Sequence, residues 1–281
     1  MIRTYIKKLF SRDFHASTCP INTATCSDKT LARFIKKSRL AQFSLQNFVG
    51  TRAEEINFIS LGENCSTAWY LKQVGLKKAS FPFDWVFSSP EIVIDCINNR
   101  FEHYLDPSLI NPKPNQKSAG HARYHSNFFN HRNPLKSQAE FDYYRRCCSR
   151  FLDTVSSDAS TIYLLTFISE PARRRQWSSG FTAEFPMPVD QDYNSIIPLI
   201  DTLKRFNPKS RVIVIDHSTH GERDAKARKI NPDVLMIDFN AFGHSTGVYF
   251  EDHLDDFCFR LILSGLHGTQ KPESDVNPYL Y

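Results

Sequence analysis

From residue 56 onward, short apolar runs alternate with stretches in which apolar residues recur every three or four positions. The runs Ile56–Ser60, Thr161–Ile168, Arg211–Asp216 and Val234–Phe239 are rich in β-branched and aromatic residues and nearly continuous. That is the pattern of strands covered on both faces, as in a parallel sheet. Helical spacing marks Thr67–Val74, Pro90–Asn98, Ala139–Val155, Tyr193–Phe206 and Asp224–Lys229. A last helix, Phe250–Leu263, sets Leu254, Phe257, Cys258, Leu261 and Ile262 on one face. Pro90 followed by Glu91 suits a helix start. This order predicts a three-layer α/β fold over residues 54–281, one domain with a mostly parallel sheet flanked by helices. One interval breaks the alternation: Asn111–Asn133 is polar and His-rich and contains proline, so it reads as a long loop, either functional or disordered.

Composition adds few surprises. Of 281 residues, 41% are hydrophobic and 23% charged, as in an ordinary globular protein. Aromatic content is 13%, led by 23 Phe, which points to rigid aromatic packing. Seven cysteines, an odd number with no C-x-x-C pair, suit neither a disulfide framework nor a structural zinc site. Reduced thiols in the cytoplasm fit this usage, and neither a metal nor another cofactor is expected. No apolar run approaches the ~20 residues needed to span a bilayer, and the N-terminus lacks the apolar core of a secretory signal.

Charge is unevenly placed. Residues 1–53 hold ten Lys/Arg against two acids, while the remainder carries a net charge of −3. These 53 residues therefore read as a basic N-terminal extension, partly disordered, with amphipathic segments at Met1–Phe10 and Leu31–Phe43. A solvated extension, a contact to an anionic lipid or other acidic surface, and an organelle presequence all suit them. Nucleic acid is not an expected partner, because no nucleic-acid fold surrounds the basic residues.

The chemistry concentrates where the first strand ends. In Ile56-Asn57-Phe58-Ile59-Ser60-Leu61-Gly62-Glu63-Asn64-Cys65-Ser66 the apolar run stops at Gly62, and a cysteine sits where a helix begins. Unpaired N–H groups and the positive end of the dipole favour a thiolate there. A small buried residue of no chemical consequence fits the same position. If Cys65 is a nucleophile, backbone N–H groups of Gly62, Cys65 and Ser66 and the side chain of Asn64 are candidate oxyanion donors, and Gly62 permits close approach of substrate.

A thiol nucleophile needs a base. His121, His125 and His131 cluster in the long loop, and His217 and His244 follow strands at the sheet edge where α/β proteins place ligands; His220 lies close by. The spacing of the three loop histidines matches no helical metal-ligand pattern. Asp84, flanked by Phe83 and Trp85, is a candidate for orienting a histidine or for a structural hydrogen bond. Arg173-Arg174-Arg175-Gln176-Trp177 suits a phosphate or carboxylate, or a solvated loop.

Ser60-Leu61-Gly62-Glu63-Asn64-Cys65, then Leu71, Gly75-Leu76-Lys77 and Ser80-Phe81-Pro82-Phe83-Asp84-Trp85, resembles a family of uncharacterised proteins described as "putative papain-like cysteine peptidases". The likeness continues through Phe129-Asn130-His131-Arg132-Asn133-Pro134 and Arg145–Leu152 and covers roughly residues 56–170. It implies a thiol nucleophile at Cys65, His131 as its partner with His125 in reserve, and, from motif position, Asp84 as orienting acid. It also implies a papain-like α+β fold as the alternative to a parallel α/β sheet. Lys77 and Lys78 stand where the family commonly has arginine.

These features lead to a cysteine-dependent hydrolase or acyl transferase acting on a peptide, ester or glycan. A glycan- or ester-modifying α/β enzyme is the second reading. A non-catalytic binding module with a basic tail is the third, in which Cys65 is merely core.

Overall fold

A computed structural model describes residues 28–51, 53–169, 179–187, 191–219 and 222–269. Its centre is a five-stranded sheet made of β1 (Asn57–Ser60), β4 (Thr161–Ile168), β5 (Ser210–Thr219), β7 (Val234–Ala241) and β6 (Asp224–Asn231), in that spatial order. β1, β4, β5 and β7 run parallel, and β6 pairs antiparallel with β7 at the far edge. A separate antiparallel pair, β2 (Ile110–Pro112) and β3 (Ala119–His121), lies within the long interval after the first helices.

Six helices among the described residues cover the sheet. α1 (Asp28–Val49), α2 (Cys65–Gln73) and α6 (His253–Leu263) pack on one face, where Phe34, Leu45, Tyr70, Phe259 and Ile262 meet Ile162, Leu164, Ile213, Ile215 and Ile237. α3 (Pro90–Asn98), α4 (Gln138–Val155) and α5 (Tyr193–Phe206) cover the other, where Ile92, Phe151 and Leu199 meet Tyr163, Leu165, Val212, Val214 and Met236. Alternate residues of the inner strands thus enter opposite cores, which is why those strands read as unbroken apolar runs. The fold is α/β, three layers deep, as the alternation predicts. None of the described helices is long and apolar enough to cross a membrane.

Helix starts follow their caps. Ser89 accepts from the Ile92 N–H ahead of Pro90, and Asp192 and Ser195 form a capping box on α5. Two expectations change. Asp224–Lys229 is strand β6, not helix. Its Ala, Lys and Arg residues favour a helix locally, but propensity is a weak prior. Pairing of Ala225 with Phe239 and Ala227 with Ile237 wins, and both alanines pack into the core beneath α1. Asp233 N–H donates to Asn231 Oδ1 in the turn that starts the hairpin back into β7.

The second change concerns the basic extension. Leu31–Phe43 lies within α1, and α1 is packed into the body through Phe34, Ala41, Leu45, Phe48 and Val49. The Phe34 ring sits 5.8 Å from that of Phe239 on β7. Among the described residues, packing into the body thus extends ahead of residue 54, to α1. Met1–Phe10, like His220 and Arg173–Trp177, lies outside the described residues.

Candidate active site

β1 ends beside β4, and the backbone pairing continues into the turn: Thr166 N–H donates to Gly62 O at 2.8 Å, and Glu63 N–H to Thr166 O at 3.3 Å. Gly62 has φ +92°, and a side chain there would collide with Ser88, whose hydroxyl donates to Leu61 O at 2.6 Å. The close approach that Gly62 permits is thus made by Ser88. The turn delivers Cys65 as the first residue of α2, at the carboxyl end of the parallel strands.

Asn64 caps that helix. Its Oδ1 accepts from the Ser66 N–H at 3.0 Å and from the Ser66 hydroxyl at 2.8 Å. These two bonds fix the amide orientation, since only the oxygen can accept. They also engage the Ser66 N–H, removing it from the expected oxyanion donors. Asn64 Nδ2 is left buried with no partner among the described residues. Such an orphan donor at the head of a helix is costly unless something accepts from it.

Cys65 Sγ lies 3.1 Å from His131 Nε2. His131 comes from the long interval, which is ordered by aromatic packing rather than loose. β3 bridges to Phe129, and Tyr124, Phe128 and Phe129 are all buried. Just after His131, Arg132 pairs with Glu140 at 3.1 Å and lies 4.4 Å over the Tyr143 ring, while buried Asn133 accepts from the Leu135 N–H. The chain on both sides of His131 is therefore anchored. The His131 ring meets Trp85 edge-on, with centroids 6.1 Å apart.

Electrostatics depart from the thiolate expected at a helix N-terminus. Cys65 is only 5% exposed. Burial pushes its thiol up to about 12 and Asp84 adds to the rise, against the downward pull of its own backbone N–H. Partial burial lowers His131 below the usual imidazole value. Both shifts favour a neutral pair at rest, with S–H donating to Nε2 and the imidazole proton on Nδ1.

Asp84 serves a different group from the one expected. Its carboxylate pairs with Lys77 and accepts from the Phe81 N–H at 2.7 Å, and His131 is not among its partners. Burial pushes this carboxyl up, against the pull of Lys77. Among the described residues no acid or amide orients His131 Nδ1. Trp85, unremarked in the sequence beyond its place next to Asp84, packs edge-on against the ring instead.

Among the described residues no other histidine hydrogen-bonds to Cys65. His125 is buried between Phe87, stacked at 4.6 Å, and Phe181, with Nδ1 accepting from Asn127. His121 stacks on Tyr124, donates to His103 O at 2.9 Å, and is pushed by burial down to about 4. His217 is buried against Phe250, and His244 lies exposed in the turn after β7. The three loop histidines thus have separate surroundings, and no cluster of metal-ligating side chains occurs among the described residues.

A family model described as "Putative papain-like cysteine peptidase" matches residues 56–136, a segment that includes both Cys65 and His131. Over 212 residues the chain is 29% identical to an uncharacterised protein of Acanthamoeba polyphaga mimivirus, covering 66% of this chain and 90% of that protein. No solved structure matches the chain.

Proposed function

We propose that the protein is a cysteine-dependent hydrolase or acyl transferase with Cys65 as nucleophile and His131 as base. The observation that carries this reading is the 3.1 Å approach of Sγ to Nε2 at the head of α2. A thiol with no imidazole nearby would have favoured a non-catalytic binding module.

In the first step the Cys65 sulfur bonds to the acyl carbon while its proton passes to His131 Nε2. This concerted transfer suits a thiol pushed up to about 12, because no free thiolate need accumulate. Charge develops on the acyl oxygen. The Cys65 N–H, at the first position of α2, and the orphan Asn64 Nδ2 are the donors to meet it. The imidazolium then protonates the leaving group as its bond to carbon breaks. Water, or a second acceptor in a transferase, attacks the thioester with His131 again taking the proton, and Cys65 leaves as the thiol. Gly62 shapes the turn, and Asp84 holds Lys77 behind it.

p-Nitrophenyl acetate, an activated ester, tests the reading. The wild type should release nitrophenolate in a burst and carry an acetyl group on Cys65 by peptide mass spectrometry. His131→Gln should slow acylation by about 10²–10⁴-fold. Acetylation spread equally over Cys65, Cys147 and Cys258, or insensitive to His131→Gln, would sink the idea.

A further inference from the structure

Behind the Ser80–Trp85 block is a cavity of about 260 Å3 whose walls include Lys78, Ser80, Tyr143, Arg146, Cys147 and Arg150. Its charge is one-sided. Lys78 donates to the carbonyls of Glu54 and Ile56, and Arg150 donates to Ser80 O, so both cations bond to neutral acceptors. Arg146 is exposed, with no carboxylate partner among the described residues. The buried acid Asp84 is already held by Lys77. Three cations thus line one opening, and the Asp84 carboxylate that acts on Arg150 is shared with Lys77.

One wall residue links the cavity to the segment that carries His131. Tyr143 on its wall lies under the Arg132 guanidinium, at 4.4 Å, one residue from His131. The Asp84 carboxylate is close enough to raise the thiols of both Cys65 and Cys147. The size is informative too. Pockets for drug-sized ligands run from about 300 to 1,000 Å3. A smaller, cation-lined cavity suits one charged group rather than a whole ligand. Two guanidinium groups present paired donors matched to tetrahedral oxyanions.

We propose that this cavity binds a phosphate group, carried by the molecule whose acyl bond Cys65 attacks. The assignment to that substrate rests on the proposed function, whereas phosphate binding itself does not require Cys65. This gives the site a substrate class: a phosphorylated acyl compound, anchored by Lys78, Arg146 and Arg150 while its carbonyl faces Sγ.

Calorimetric titration with inorganic phosphate at low ionic strength tests the site directly. The wild type should bind one phosphate, and Cys65→Ser should bind it equally well. Arg146→Glu should weaken binding at least tenfold, and Arg146→Lys should fall in between, since lysine keeps the charge but not the fork. Acetate should bind more weakly than phosphate. Because Arg146 is exposed, these variants leave the packing intact, and a melting curve for each checks this. Absence of phosphate binding, or equal binding by Arg146→Glu, overturns the proposal even if Cys65 proves reactive. Arg146-dependent binding in a protein whose Cys65 is inert upholds the site and removes the nucleophile reading instead.

Discussion

Asn64 performs two tasks with the two halves of one amide. The oxygen caps α2 and the nitrogen is left unpaired beside Cys65. Asn64→Asp separates them, because aspartate caps a helix as well as asparagine but cannot donate from the second position. Its melting temperature should stay near that of the wild type while acylation by p-nitrophenyl acetate falls by about 10²–10³-fold. Asn64→Ala should lose the cap as well, costing about 1 kcal/mol in urea unfolding. A wild-type acylation rate in Asn64→Asp would remove the side chain from the oxyanion site. The residues of this site were unevenly legible. Cys65 stood out because a glycine-ended apolar run before a helix start is a local pattern. His131 came only through motif likeness, since nothing local distinguishes it from His125 or His121. The Asp84–Lys77 pair was hidden because a buried carboxylate's choice of partner is settled in three dimensions.

At the scale of elements, local chemistry and long-range pairing divide the outcome. α3 and α5 begin and end where the spacing predicts, because Ser89-Pro90 and Asp192 mark their starts. β6 was misread because its residues favour a helix in isolation, and only β7 and α1 make it a strand. α1 shows the same division: Leu31–Phe43 is visibly amphipathic, but what its apolar side meets is not written nearby. Its two faces can be told apart by experiment. Leu45 is fully buried, whereas Leu40 is 59% exposed. Leu45→Ala should cost about 2–5 kcal/mol in urea unfolding. Leu40→Ala should stay within about 0.5 kcal/mol. Equal, small effects would mean that α1 adds little to the body's stability.

Across the whole molecule, buried histidines link stability to pH. Burial pushes His217 down to about 4, and no acid among the described residues offsets that cost. The unfolded chain binds this proton near pH 6.5, so between pH 6.5 and about 4 it holds one more proton than the native state. Stability therefore falls as pH drops through that window, by about 3 kcal/mol at most from this group. His217→Gln should flatten the decline, read as the difference between the two unfolding free energies at pH 7 and pH 4.5. That difference isolates the imidazole from Asp84 and Asp255, whose burial raises their carboxyls and acts in the opposite sense. Parallel curves for the two proteins would show that His217 is protonated in the folded state.

β1 lies at the border of the sheet and is paired on one side only, with β4. β4 begins at Thr161, beyond the 56–136 segment that holds both Cys65 and His131. Thr166 pins the turn on which the cysteine stands, gripping the backbone at Gly62 and Glu63. The stretch that carries the proposed nucleophile and base is therefore braced from outside itself. It holds the vocabulary of the proposed reaction, but part of the grammar that sets sulfur beside imidazole is supplied by a strand from later in the chain.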